Sequence, residues 1–276
     1  MGLLVALETD RAGARFGEVV KAAEEVGVAF VTFADSPLPP AGGFRLEAVG
    51  RAAFLATRTS GVGLAPGVPT ATTEPFHLAA QIASLDHATH GRAGWVVQRS
   101  TAAELATVGG GDGESPAEVV RVVRALWDSW EDDAVVKDVA TGRYLDPDRV
   151  HHVDFVGTAF TVKGPLITPR PPQGQPVVIA PADLGVDADV VLVDEPVDRD
   201  GPLVFLELAV TPDLPAVLRD LDGRVDGVRL HPAEDDFGTL FADVLPALDL
   251  PPRGATLRAT LGLTRPANRF ATGGVR

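Results

Sequence analysis

The chain contains no cysteine, so disulfides, thiolate metal sites and a cysteine nucleophile are excluded. Positive charge is also scarce. Lys plus Arg number 24 against 38 Asp plus Glu, for a formal charge of −14. That balance favours solubility and argues against nucleic acid or an anionic membrane as a partner. No apolar run approaches the ~20 residues of a membrane span. The opening MGLLVALETD has no basic stretch and turns acidic at once, so a secretory leader is not expected. Ala6 stands where N-myristoylation needs Ser or Thr. A cytoplasmic protein is the default expectation. Internal repeats and low-complexity segments are not evident.

What is present suffices for a large core. The 276 residues are 45% hydrophobic. That length suits either two small domains or one barrel of roughly 250 residues. Strand-like and helix-like segments alternate. Leu3–Leu7 is a short apolar run, and Phe16, Val19, Val20, Ala23 and Val26 then recur at helical spacing before Gly27. Val28–Phe33 predicts a second strand, residues 46–57 a helix, and GVGLAP a third strand. A helix is expected from Thr73-Glu74-Pro75 to about Ala88, followed by the strand AGWVVQ. Ser115 and Glu118 have capping-box spacing, with Pro116 in the first turn. The helix that they open carries Val119, Val122, Val123, Leu126, Trp127 and Trp130 on one face, which makes both tryptophans structural.

Residues 131–175 break the alternation. They are read as an insertion holding one hairpin-like piece, HHVDFVGTAFTVKG. Four more apolar strands follow: PVVIA, DVVLV, LVFLELAV and GVRLH. Phe237, Leu240, Phe241, Val244, Leu245 and Leu248 predict a last amphipathic helix. Eight strands in repeated strand-helix units point to an α/β fold, a closed (β/α)8 barrel. Only eight residues, PADLGVDA, separate PVVIA from DVVLV. A parallel crossover needs a dozen or more, so the fifth and sixth units are expected to be eroded, without a regular helix over residues 180–193. The tail 251–276 holds five Arg and no acid and is expected to be ordered, anchored by Leu257, Leu261 and Leu263. The whole chain reads as a single barrel domain.

The segments VTFADS, TEPFHLAAQIASLDHATHGRAGW, ALWDSWEDDAVVKD, DPDRVHHVDFVGTAFTVKGPLITPRPPQGQPVVI and LGLTRPANR resemble the bacterial luciferase-like flavin monooxygenases. The branch they are most similar to acts on nitrilotriacetate, dibenzothiophene sulfone and long-chain alkanes. The resemblance runs from about Phe16 to Arg269. It implies a barrel that binds reduced FMN at the C-terminal strand ends, a flavin reductase as partner and a small organic substrate. A homodimer or a pairing with a paralogue is also open.

The same resemblance implies site residues. Asp35 corresponds to a flavin-pocket position, although turn capping explains it equally well. Thr70 and Thr72 fall in a Thr-rich stretch near the flavin, or cap the next helix. In the stretch Val96-Val97-Gln98-Arg99-Ser100, Val96 stands where the family carries an Asn at the flavin edge, and Arg99 where it carries Thr. Ala180-Pro181-Ala182-Asp183 replaces a Ser- and Gly-containing phosphate loop. Pro181 removes an amide donor there and Asp183 repels phosphate. Arg99 or Arg170 would then have to supply the missing donors. His77, His87, His90, His151 and His152 read as structural, so no metal is expected. The function expected is an FMN-dependent monooxygenase. The alternative is a non-catalytic barrel relative that has lost flavin binding and serves as a small-molecule binder or paralogue partner. A deazaflavin-dependent oxidoreductase is a third option.

Overall fold

All eight expected strands form, and they close on one another. The computed structural model describes residues 2–40, 45–109, 115–197 and 201–271. Its first half runs β1 (Leu4–Glu8), α1 (Phe16–Glu25), β2 (Phe30–Phe33), α2 (Ala48–Ala56), β3 (Gly63–Pro69), α3 (Pro75–Ala88), β4 (Gly94–Gln98), α4 (Ala102–Ala106) and α5 (Pro116–Trp127). Two small antiparallel hairpins follow, β5–β6 (Val135–Asp138, Arg143–Leu145) and β7–β8 (Phe155–Val156, Thr161–Val162). The chain then resumes with β9 (Val177–Pro181), β10 (Val190–Val193), β11 (Leu203–Ala209), α6 (Leu214–Leu221), β12 (Gly227–His231), α7 (Asp236–Thr239) and α8 (Leu257–Thr260). The barrel order is β1-β12-β11-β10-β9-β4-β3-β2, with every pairing parallel.

Side chains alternate across each strand, so each strand feeds two cores. Leu4, Ala6, Phe30, Ala65, Val96, Ile179, Leu192 and Phe205 fill the lumen. Trp95, Val97, Val178 and Ala180 point outward and pack under α3 and α5. Trp127 meets Trp95 edge-on at 6.5 Å, and its indole N–H donates to the Ala79 carbonyl at 3.1 Å. The Trp130 indole donates to the Leu166 carbonyl at 2.8 Å. Both rings are buried, but only Trp127 lies on the helix stripe; α5 ends there, and Trp130 sits past it in a bridge to Val150.

The Gly-Arg break before β4 is a structural lock. Gly91 takes φ +90°, and the buried Arg92 guanidinium donates five hydrogen bonds, to Thr89, Val62, Ala56 and both oxygens of Thr59. Between β9 and β10 there is no crossover helix, only the short 3-10 turn Ala182–Leu184. Leu184, Val186 and Ala188 of this link cover the exposed flank.

Three further details differ from the sequence reading. Ser115 makes no capping bond, and the reciprocal half of the box is also missing, since the Glu118 carboxylate accepts from the Thr158 N–H and hydroxyl, both at 2.9 Å. The last amphipathic stretch is not one α-helix. It splits into α7, a π-turn over Leu240–Val244 and a 3-10 turn over Leu245–Ala247, where Pro246 has no N–H to continue the ladder. A second hairpin, β5–β6, lies in the segment where one was expected.

The tail from Pro251 to Ala271 lies under the N-terminal end of the barrel, and its last five positions, 272–276, lie outside the described residues. Leu257 is buried and plugs the lumen from below, so close that a Cβ on Gly63 would sit 2.7 Å from its Cδ1. Leu261 is buried beside it, and Leu263 is half-buried. Leu257→Ala should therefore destabilise the fold by about 2–5 kcal/mol, as a cavity-forming core change, and Leu263→Ala by clearly less. Urea unfolding of both variants measures this. A loss below about 1 kcal/mol for Leu257→Ala would mean that the lumen base is filled by something else.

Candidate functional site at the barrel mouth

Ligands of parallel barrels bind at the C-terminal strand ends. Here the lumen-facing register changes from apolar to polar at that end. Following the alternation upward, β1 ends in Glu8, β2 carries Thr32, β4 ends in Gln98, β11 carries Glu207, and β12 carries Arg229 and His231. A cavity of about 340 Å³ opens in this layer, floored by Val96 and Leu192 and walled by Glu8, Thr32, Arg229 and His231.

Most of these polar groups are already paired. Glu207 accepts a two-pronged contact from Arg229 (Nε at 2.8 Å, Nη2 at 2.5 Å) and lies 2.6 Å from His231 Nε2. Burial alone would raise the Glu207 carboxyl, but the hydrogen bonds from His231 and Arg229 outweigh it and hold the group below its usual range. Glu8 has the opposite fate. Burial, reinforced by the neighbouring Asp10, pushes it up to about 8. Its Oε1 accepts from the Asp10 N–H at 2.6 Å. Asp10 itself is held by the Arg51 guanidinium at 2.7 Å and by the Ala34 N–H at 2.8 Å. The hydroxyl of Thr32 is buried with no hydrogen-bond partner.

The residues singled out from sequence fall in several places. Val96 lies on the cavity floor and is nearly buried. The Gln98 amide lines the wall, but it is spent on the backbone of Asp35, accepting from its N–H at 2.9 Å and donating to its carbonyl. Gly67 makes room for this, since a Cβ there would come within 2.6 Å of Gln98 Oε1. Asp35 accepts from the N–H groups of Ser36 (2.8 Å) and Ala48 (2.9 Å), tying the loop after β2 to the start of α2. It faces a separate open cleft of about 570 Å³, which Thr72 and His77 also line. Thr70 is buried just past β3 and does not line the cavity.

Ala180 points away from the lumen, into the helix layer, and its neighbour Pro181 lines the cavity instead. Arg99 reaches the rim, where it pairs with Asp183 at 2.7 Å. Arg170 is at the opposite end of the barrel, buried against Asp128 and Asp132, and so is remote from any ligand at the mouth. Glu8, Thr32, Glu207, Arg229 and His231 were missed by the sequence reading. The signal was a charged or hydroxyl residue in the inward register of otherwise apolar strands.

The family model described as luciferase-like monooxygenase matches residues 4–184. The chain is 36% identical over 280 residues to one of the proteins of the pristinamycin IIA synthase of Streptomyces pristinaespiralis, covering 98% of this chain and 97% of that protein. It is 36% identical over 181 residues to nitrilotriacetate monooxygenase component A of Aminobacter aminovorans, covering 63% of this chain but only 39% of that longer protein. In structure it is similar to EDTA monooxygenase from Chelativorans sp. BNC1, with a TM-score of 0.77 at 17% identity, over 96% of this chain and 99% of that one.

The raised Glu8 carboxyl makes stability depend on pH. A carboxyl whose folded value lies above its unfolded value of 4.5 contributes stability that is full below about pH 4.5 and is lost as pH rises through about 8. Glu8→Gln keeps the acceptor for Asp10 but removes the ionisation. Between pH 5 and pH 8.5 the wild type should lose on the order of 2–4 kcal/mol relative to Glu8→Gln, each pH unit in that window being worth about 1.4 kcal/mol. Thermal unfolding of the two proteins across this range checks the prediction, and parallel curves would contradict it.

Proposed function

The chain belongs to the luciferase-like monooxygenase family, and on that premise we propose that it is the oxygenase component, or a subunit of it, of a flavin-dependent monooxygenase acting on a small organic substrate. The observation that carries this reading is the cavity at the C-terminal mouth, with an apolar floor and the unpartnered Thr32 hydroxyl in its wall. A volume of about 340 Å³ lies in the ~300–1,000 Å³ range of small-molecule sites. Val96 and Leu192 offer a dry surface to a flat ring, and Thr32 and Glu8 offer polar contacts at its edge.

The phosphate of FMN fits less well. The turn Ala182–Leu184 is too short to act as a helix N-terminus, Pro181 has no N–H, and Asp183 takes up Arg99. The ring half of FMN therefore fits this chain and the phosphate half does not. When bound, reduced flavin supplies activation of dioxygen. The chain's own part is to bind and orient the ring and substrate on the lumen floor and to keep water from them. Arg229 and His231, both held by Glu207, form a polar wall for that purpose. A separate reductase would supply the reduced flavin. Near-full-length likeness to a protein named as one subunit of a synthase, another named subunit of which is 40% identical to this chain over 103 residues, supports a related second chain as partner.

Absorbance titration with FMN and with riboflavin tests this reading. Both should bind saturably, with affinities within about threefold of each other, because only the shared ring is held and one lost contact is worth up to about tenfold. FMN binding at least tenfold tighter would place a phosphate site on this chain, with Arg99 the first residue to substitute. No binding of either at millimolar concentration would sink the flavin reading and favour a barrel that no longer carries the cofactor.

A further inference from the structure

We propose that Glu8 and Thr32 form a hydrogen-bonding pair that reads a neutral amide or imide edge, a C=O beside an N–H, on the molecule lodged in the barrel mouth. The inference rests on the reading of the mouth as the ligand site. It concerns which chemical face of the ligand this chain recognises.

The first support is what is left over at the mouth. Arg229 and one ring nitrogen of His231 are spent on Glu207. The Gln98 amide is spent on the backbone of Asp35. Besides the remaining Nη1 of Arg229 and the second ring nitrogen of His231, two groups on neighbouring strands face the cavity side by side. The Thr32 hydroxyl is buried without a partner, its residue being 2% exposed. Glu8 lines the same cavity with Oε1 accepting from the Asp10 N–H, and the adjacent Asp10 carboxylate competes with a ligand for its proton. The strand register sets Glu8 directly opposite Thr32, so the two stand about 4.8 Å apart across neighbouring strands. Both point to the lumen and line the same cavity.

The second support is charge. Four ionisable groups line the cavity with Glu8: Asp10 beyond β1, Arg99 beyond β4, and Arg229 and His231 on β12. Glu207 neutralises Arg229, and Arg51 is taken by Asp10. Arg99 at the rim is paired with Asp183, so among the described residues each cation lining the cavity already has a carboxylate partner. A buried carboxyl in that setting keeps its proton near neutral pH. A protonated carboxyl offers one O–H donor as well as an acceptor, and a hydroxyl likewise offers both. That donor-and-acceptor pattern is complementary to a C=O and N–H held in one plane. The flat floor of Val96 and Leu192 below suits a ring carrying such an edge. The edge could belong to the flavin ring or to an amide-bearing substrate, and the probes separate the two.

Three probes serve: lumiflavin (the flavin ring without its phosphate chain), its N3-methyl derivative, and the simple lactam 2-piperidone. Ring fluorescence follows the first two and NMR shift perturbation the third. N3-methylation and Thr32→Val should each weaken lumiflavin binding about five- to tenfold, the effect of one lost neutral hydrogen bond. Wild-type affinity should fall as pH rises above about 8, where Glu8 ionises and loses its donor. Glu8→Gln keeps a donor and an acceptor, so its affinity should stay level from pH 6 to pH 9.5. Should Thr32→Val fail to fold, the contrast between wild type and Glu8→Gln decides the matter alone.

Lumiflavin binding that is indifferent to N3-methylation, to Thr32→Val and to the ionisation of Glu8 would overturn the pair while leaving the flavin reading intact. Silence from lumiflavin together with 2-piperidone binding that depends on Glu8 and Thr32 would remove the flavin and uphold the pair as a substrate amide site. Silence from both probes would overturn the pair.

Discussion

The carboxylate of Asp189 is the point on which the eroded side of the barrel hangs. It accepts from Arg124 of α5 at 3.1 Å, from Arg258 of α8 at 2.7 Å and from the Val178 N–H of β9 at 2.9 Å. Asp189 opens β10, so these three contacts hold that strand beside β9 where a crossover helix would normally do so. The arrangement continues through Gln175, which bonds Arg124 and Asp128, to Arg170 on the far side. A buried ion pair adds little net stability over a well-packed apolar contact, but removing one partner leaves a stranded charge. The network therefore fixes where β10 sits more than it deepens the energy of the fold. Asp86 plays a parallel part under β4, accepting from Ala93 and from both nitrogens of Gln173, and Gln173 in turn accepts from the Arg258 N–H.

Above that base, the lumen separates two carboxylates that start from similar surroundings. Glu207 has a guanidinium and an imidazole and is fixed as an anion. Glu8 is pushed up by burial and by the carboxyl of Asp10, which outweigh the charge of Arg229. The difference comes from the strands they occupy. Glu207 pairs in register with Arg229, whereas Glu8 pairs with Thr32. One wall of the mouth is thereby a rigid, internally satisfied set of charges, and the other retains hydrogen-bonding capacity for a ligand.

The barrel was legible because buried strands of a parallel sheet are continuous apolar runs, and all eight stood out as such. The missing helix was legible from the length of its link. Less visible was anything decided by distant partners. Glu118 looked like half of a capping box until Thr158, forty residues on, took its carboxylate. Arg99 looked free for a phosphate, yet Asp183 meets it from the end of the adjacent strand β9. The β5–β6 hairpin lies largely exposed, so it left no apolar alternation to read. At the site, Val96 and Gln98 could be picked out because a resemblance pointed to that strand. Glu8, Glu207 and Arg229 had only their inward register to give them away, and register becomes informative once the neighbouring strand is known.

The plug at Leu257 bears on how the chain reaches this state during synthesis. β1 must pair with β12, more than two hundred residues later, and the lumen base is completed by Leu257, which follows β12. Until Leu257 and Arg258 have left the ribosome, the inward faces of β3 and β4 lack their lower cover and Asp189 lacks one of its two arginines. Closure is thus a late event, governed by contacts distant in sequence, and such topologies fold slowly. For most of its translation the nascent chain exposes an open, apolar sheet edge, which makes it a natural client for chaperones.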